Sequence, residues 1–257
     1  MTSDKQWSSP WCHFAAPTKH EKNPSPLPGG RVASGASRVR GLGRTSRSRG
    51  FFITGTDTGV GKTVLSALLA SALDGLYWKP IQSGASEGTD RQAVRQWAEL
   101  PEERTLPECY CFGAPVSPHL AASMTGARID LARIVMPNHA KGRLVITEGA
   151  GGVLVPLNET QTMLDLILQL GLPVVIASRT ALGTINHTLL TLRALARAGA
   201  EVRGVVMIGE ENVENRRAIE GYGAVEVIGH IPVLEAIRRD VLLNVFASRF
   251  DRSRFFS

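Results

Sequence analysis

Gly55-Thr56-Asp57-Thr58-Gly59-Val60-Gly61-Lys62-Thr63 lies between a short apolar run, Phe51-Phe52-Ile53, and a stretch from Val64 to Leu73 whose apolar residues recur with helical spacing. Strand, glycine-rich loop and helix in that order, with the loop closing on Gly-Lys-Thr, read as a phosphate-binding P-loop. Each residue type has a physical task. The glycines let the backbone curl so that successive N–H groups face phosphate oxygens. The helix that follows adds the positive end of its dipole. Lys62 is placed to reach the outer phosphates, and the Thr63 hydroxyl to ligate Mg²⁺. The loop departs from the common spacing: five residues separate Gly55 from Gly61, where four are usual.

Working outward, the 257-residue chain is 43% hydrophobic and 20% charged, an ordinary globular composition with enough length for one large α/β domain. Its net charge of +6 is unevenly placed. Residues 1–50 hold 9 Lys and Arg against 2 Asp and Glu, so the remainder is near neutral, which argues against a nucleic-acid-binding domain with its own basic face. Residues 1–50 are rich in Ser, Pro, Gly and Arg and are expected to be a disordered basic extension. A targeting peptide, a basic tail for nucleic acid or anionic membrane, and a start codon set too far upstream all compete for it. The third is favoured, because Gly50-Phe51-Phe52-Ile53 already has the form of a first strand. No apolar segment approaches the roughly 20 residues needed to span a bilayer. Cys12, Cys109 and Cys111 form no CxxC pair, so a reducing cytoplasmic setting without structural metal is expected.

From residue 51 to 257 strands and helices alternate, and we expect one domain of βα units around a parallel sheet. Strands are expected at Leu76–Lys79, Leu144–Ile146, Pro173–Ala177, Val202–Ile208 and Val225–Ile231. Helices are expected at Asp90–Trp97, Ile129–Ala140, Met163–Leu170, Ile185–Ala198, Asn215–Gly221 and Asp240–Ser248, with a short one opening at Ser117-Pro118-His119. In such sheets ligands sit beyond the carboxyl ends of the strands. The P-loop, Lys79 to Gly84 and Thr147 to Gly152 fall there and should converge. Glu148 alone reads equally as an exposed strand-end carboxylate or a Mg²⁺ contact; the Gly149-Ala150-Gly151-Gly152 that follows favours the second. Asp90 alone is a helix N-terminal acid, Lys79 a solvated strand-end lysine, and Ser83 and Ser117 turn or cap residues.

Together the motifs resemble a known family. GTDTGVGKT at 55–63, KPIQSG at 79–84, SPH at 117–119, EGAGG at 148–152 and LGTINH at 182–187 follow one another as they do in the dethiobiotin synthetases, over residues 51 to about 247. The five-residue glycine spacing is that family's own form. The resemblance implies a P-loop NTPase-like, three-layer fold with a parallel sheet flanked by helices. It implies an ATP-dependent cyclo-ligase acting on ATP, carbon dioxide and a 7,8-diaminononanoate-type diamine, with Mg²⁺. One amine takes up carbon dioxide, the carbamate is phosphorylated by ATP, and the second amine closes the ureido ring. It further implies that Lys62 and Lys79 flank the transferring phosphoryl group, Lys79 also stabilising the carbamate. Thr63, Asp90 and Glu148 would hold Mg²⁺. Gly59, Val60, Gly61, Val64, Gly149, Ala150, Gly151, Pro232, Val233 and Glu235 would line the ATP site, and Thr58 and Ser83 would lie near the carbamate or phosphates. The substrate carboxylate would bind near Gly183 and Asn186, where the amides opening a long helix can receive an anion, at a homodimer interface.

Two positions depart from the family pattern. Ile208-Gly209 stand where members often carry Asn-Asp for the adenine ring, and an isoleucine cannot form amide hydrogen bonds to a purine edge. Gly59 replaces an acidic residue that some members have. Among rivals, amide-forming cobyrinate-type synthases usually carry a glutaminase domain, for which 257 residues leave no room. A partitioning-type regulatory ATPase generally has an extra lysine early in the P-loop, where this chain has Thr56-Asp57-Thr58, and the segment Asp240–Ser248 is too weakly basic for a membrane helix.

Overall fold

The computed structural model describes residues 49–140 and 142–256. The extension expected over residues 1–50 lies outside the described residues up to Ser48, and Arg49 and Gly50 already belong to the first strand. In chain order, β1 (Arg49–Gly55) leads through the P-loop into α1 (Lys62–Ala72), then β2 (Leu76–Trp78), β3 (Ile81–Gln82) and α2 (Asp90–Ala98). The short β4 (Thr105–Leu106) and β5 (Tyr110–Cys111) precede α3 (Pro118–Met124). The second half runs β6 (Leu144–Gly152), α4 (Met163–Leu170), β7 (Val174–Arg179), α5 (Thr184–Ala198), β8 (Val202–Ile208), α6 (Val213–Gly223), β9 (Val227–Ile231) and α7 (Arg239–Arg249).

Seven strands form one sheet in the order β4-β2-β6-β1-β7-β8-β9, and every pair is parallel. Strands β3 and β5 pair separately. The strands read as nearly continuous apolar runs because both faces are covered. Phe52, Trp78, Val174, Ile176 and Val205 point into one core, shared with Leu166 of α4, Leu195 of α5 and Ile219 of α6. Their neighbours Phe51, Ile53, Tyr77, Val175 and Val206 point into the other, shared with Leu65 and Leu68 of α1, Val94 of α2 and Leu242 of α7. This is the expected three-layer arrangement. The path from β1 to β2 steps over β6, while that from β6 to β7 steps over β1. The chain thus leaves these neighbours in opposite directions and opens a crevice above their carboxyl ends, where a ligand belongs.

Two expectations are corrected. Residues 129–140 form no helix, only 3-10 turns at Leu131–Arg133 and Asn138–Ala140. Asp130 caps the first turn through Ala132 N–H, and Gln169 of α4 donates to the Leu131 and Ile134 carbonyls, so outside partners replace the helical ladder. The strand expected at Leu144–Ile146 continues through Gly152, with Glu148 opposite Ile53 of β1. Glu148 is therefore a mid-strand acid that is 1% exposed, not a carboxylate in solvent.

Candidate active site

The P-loop joins β1 to α1 through Gly61, which has φ +97°. A Cβ there would sit 2.9 Å from Ile208 Cδ1, so both backbone conformation and space call for glycine. The Lys62 ammonium turns back onto the loop and donates to the Asp57 carbonyl at 3.0 Å. Asp57 Oδ1 in turn accepts from Thr58 N–H, and Arg179 at the end of β7 donates to the Thr58 carbonyl at 2.8 Å. Burial lowers the Lys62 pKa to about 8, with Lys79 adding to the effect and Glu148 and Asp90 opposing it. A polyphosphate arriving beside this amine favours its charged form and pulls the pKa back up. Nucleotide binding at pH 8 should therefore take up about half a proton, and affinity should fall as pH rises above 8. Calorimetric titration in buffers of different ionisation enthalpy measures that uptake; proton release on binding would contradict it.

Opposite the P-loop, Lys79 directly follows β2, ahead of Pro80 and β3. Its ammonium lies 2.6 Å from Asp90 Oδ2 and 2.9 Å from Glu148 Oε1. The Thr63 hydroxyl, from the first turn of α1, lies 2.8 Å from Asp90 Oδ1 and 3.0 Å from Glu148 Oε1. Thr89 caps α2, exchanging hydrogen bonds with Gln92, and Gln82 of β3 accepts from Asp90 N–H; these contacts set where Asp90 stands. Burial works against the Lys79 charge, but Glu148 and Asp90 outweigh it and hold its pKa above the ordinary lysine value. Burial likewise works against ionised Asp90, and Lys79 overcomes it, holding that carboxyl below its usual range.

One hydroxyl has one proton, so Thr63 cannot donate to both carboxylates at once. Thr63 Oγ1, Asp90 Oδ1 and Glu148 Oε1 converge, and with the Thr63 proton on Asp90, Lys79 supplies the donor for Glu148 Oε1. Among the described residues no group of three or more His, Cys, Asp or Glu side chains gathers as an all-protein metal cage. Two carboxylates and a hydroxyl are instead the kind of partial set that Mg²⁺ completes with substrate phosphates and water.

Tyr77 escaped the sequence reading. Its hydroxyl, fully buried in β2, donates to Glu148 Oε2 at 3.0 Å, leaving Oε1 turned towards Lys79 and Thr63. Burial and then Glu148 push its pKa well above the ordinary tyrosine value, so it remains a donor. Tyr77→Phe strands a buried carboxylate oxygen and should lower unfolding free energy by about 1.5–3 kcal/mol, the usual worth of a hydrogen bond to a charged group. Denaturant unfolding measures this; unchanged stability would show that the oxygen finds another donor.

These groups face a cavity of about 600 Å³. Thr58, Gly59, Gly61, Lys62, Thr63 and Val64 line it from the P-loop side, and Lys79, Ser83, Asp90, Glu148, Ala150 and Gly151 from the other. Val60, Pro232 and Val233 line an adjoining slot of about 330 Å³ that shares Gly59, Gly61 and Val64 with the first cavity. Gly149 lies off the cavities, because its face packs on Phe52. Glu235 also lies outside, although Leu234 lines the slot. Gly183 and Asn186 line none of these spaces, but His187, Leu190 and Thr191 of the same helix border a third cavity of about 390 Å³, shared with Thr58 and Val155. Arg179, Gln82 and Trp97 are further residues around the site that the sequence reading did not single out. Only Gln82, inside the 79–84 motif, carried a signal.

Comparison with known proteins bears on the family of the chain. The family model described as an AAA domain matches residues 49–240. The ATP-dependent dethiobiotin synthetase BioD of Nitrobacter hamburgensis is 50% identical over 77% of this chain and 92% of its own length. That of Agrobacterium fabrum is 47% identical over 80% and 96%. Among solved structures, a ParA family ATPase from Chlorobium tepidum covers 77% of this chain and 90% of its own, at 13% identity and a TM-score of 0.46, too distant to bear on activity. With about half of the aligned residues identical to those of such relatives over nearly their whole length, the chain belongs to the dethiobiotin synthetase family.

Proposed function

We propose that this protein is an ATP-dependent dethiobiotin synthetase, closing a ureido ring on a 7,8-diaminononanoate-type diamine with carbon dioxide and releasing ADP and phosphate. The observation that carries the reading is the pair of buried lysines, Lys62 and Lys79, on facing sides of one cavity with Asp90, Glu148 and Thr63 between them. Such an array suits phosphoryl transfer, in which positioning and charge neutralisation dominate.

In this account one amine adds to carbon dioxide and loses a proton, giving a carbamate. Lys79 holds the carbamate oxygen in place, and Ser83, on the same wall, lies within the cavity to orient it. That oxygen attacks the γ-phosphorus as the bond to ADP breaks, with Lys62 and the P-loop amides taking the charge. The second amine then attacks the carbamoyl carbon, phosphate leaves, and the attacking nitrogen sheds one proton, so each ring nitrogen keeps one hydrogen. Thr63, Asp90 and Glu148 would hold Mg²⁺, which supplies charge neutralisation on the β- and γ-phosphates. The residues fit it: one hydroxyl oxygen and two carboxylate oxygens converge on the first turn of α1, the hard oxygen donors that Mg²⁺ takes.

The carboxylate end of the substrate is assigned to the third cavity, beside the first turn of α5. Exposed Leu154 and Leu190 on its rim, with Leu182 nearby in sequence fully exposed, support a homodimer that covers this face. No described helix is long and apolar enough to cross a membrane. Incubation with ATP, diamine and ¹³C-bicarbonate tests the reaction: the label should appear in the ureido carbon of the product, and an unlabelled ring or no ring would refute it.

A further inference from the structure

The slot beside the P-loop is lined by twelve residues, and all but Arg179 are glycine, proline or aliphatic. It shares Gly59, Gly61 and Val64 with the phosphate cavity, so a nucleotide held by the loop has this space beside its phosphates for the base. We infer, resting on the synthetase reading above, that this slot grips the base by shape and apolar contact, with no side-chain acceptor for the adenine amino group, so that GTP serves nearly as well as ATP.

Telling adenine from guanine requires an acceptor for the adenine amino group or a donor that only guanine's oxygen can use. Arg179 has donors and no acceptor. It can pair with N7, which both purines carry, and with guanine O6, so its side chain gives adenine no advantage. The side chain at 208 is isoleucine, and it packs under Gly61 of the P-loop. The main chain next to it is already engaged: Gly209 N–H donates to the Ile231 carbonyl, and the Gly209 carbonyl lies 2.8 Å from His230 Nε2. Nor can position 209 offer a side chain. Its φ is +131°, and a Cβ would sit 2.4 Å from Thr180 Oγ1. Apolar pockets separate close analogues by only about 10–200-fold, whereas sites built on paired hydrogen bonds reach about 10⁴–10⁵. On its side chains, this slot belongs to the first kind.

The test compares kcat/KM for ATP, GTP and ITP in phosphate release with bicarbonate and diamine present. The three should agree within about tenfold. Preference for ATP over GTP by more than about 100-fold would overturn the inference and leave the synthetase reading standing. Failure of every nucleotide would remove that reading and this inference with it. A second arm uses Ile208→Asn, whose amide can pair with adenine N6 and N7 together. The ATP-to-GTP ratio should rise at least about tenfold in that variant. An unchanged ratio in a variant that unfolds at the wild-type temperature would show that residue 208 does not face the base.

Discussion

Lys79→Ala should slow turnover by about 10²–10³-fold, the cost of removing a preorganised charge that stabilises a transition state. ADP affinity should change little, because the P-loop amides and Lys62 remain. The variant has a second, separable effect. Lys79 is buried between Asp90 and Glu148, and without it the Glu148 carboxylate keeps its burial but loses its counter-charge. Removing one partner of such a buried pair typically costs about 3–5 kcal/mol. A cation bound between Asp90 and Glu148 restores the missing charge, so much of this loss should return when Mg²⁺ and ADP are added. Kinetics, ADP titration and unfolding with and without Mg·ADP read the three effects separately. Full activity in the variant would take Lys79 out of the mechanism.

Glu148→Gln keeps the size of the side chain and removes its charge. Glu148 accepts from Lys79 at Oε1 and Tyr77 at Oε2, and the Thr63 hydroxyl also lies against Oε1. An amide offers one oxygen and one NH₂ group, so a donor must face a donor. Turnover should fall by about 10²–10³-fold, as expected when a charged group is removed from a preorganised site. The half-saturating Mg²⁺ concentration should rise by about tenfold, the 1.4 kcal/mol scale of one weakened ligand contact. Unchanged Mg²⁺ dependence would place the cation elsewhere.

The same substitution changes pH dependence. Lys79 has a raised folded pKa, so its contribution to stability is complete below its ordinary 10.5 and lost as pH climbs through the folded value. Asp90 has a lowered folded pKa, so its contribution is complete above its ordinary 3.8 and lost as pH falls through the folded value. Glu148 is the largest raising influence on Lys79, so without it the folded pKa falls, and the alkaline loss, which still begins near the ordinary 10.5, should be smaller and end at lower pH. Chemical unfolding across the alkaline range measures it.

The fold could be read from the chain because its signals are local. A strand buried on both faces shows as an apolar run, as at Leu144–Ile146 or Val174–Ala177, and a helix shows its period within a dozen residues. The P-loop lysine and threonine are equally local. What local sequence could not supply was compensation. Glu148 alone read equally as an exposed strand-end carboxylate, yet the residues after it continue the strand, and the charge is stabilised by Lys79 and Tyr77, some seventy positions earlier. Arg179 reads as a strand-end arginine until the sheet brings it against Thr58. Residues 129–140 failed as a helix because Gln169, from a different element, satisfies their carbonyls.

The central claim is that one cavity couples ATP cleavage to ring closure on a diamine. Phosphate release measured with ATP, bicarbonate and 7,8-diaminononanoate, leaving out each in turn, tests it most directly. The account predicts one phosphate per ureido ring formed and negligible release when either bicarbonate or the diamine is missing. Steady ATP hydrolysis indifferent to the diamine would contradict it.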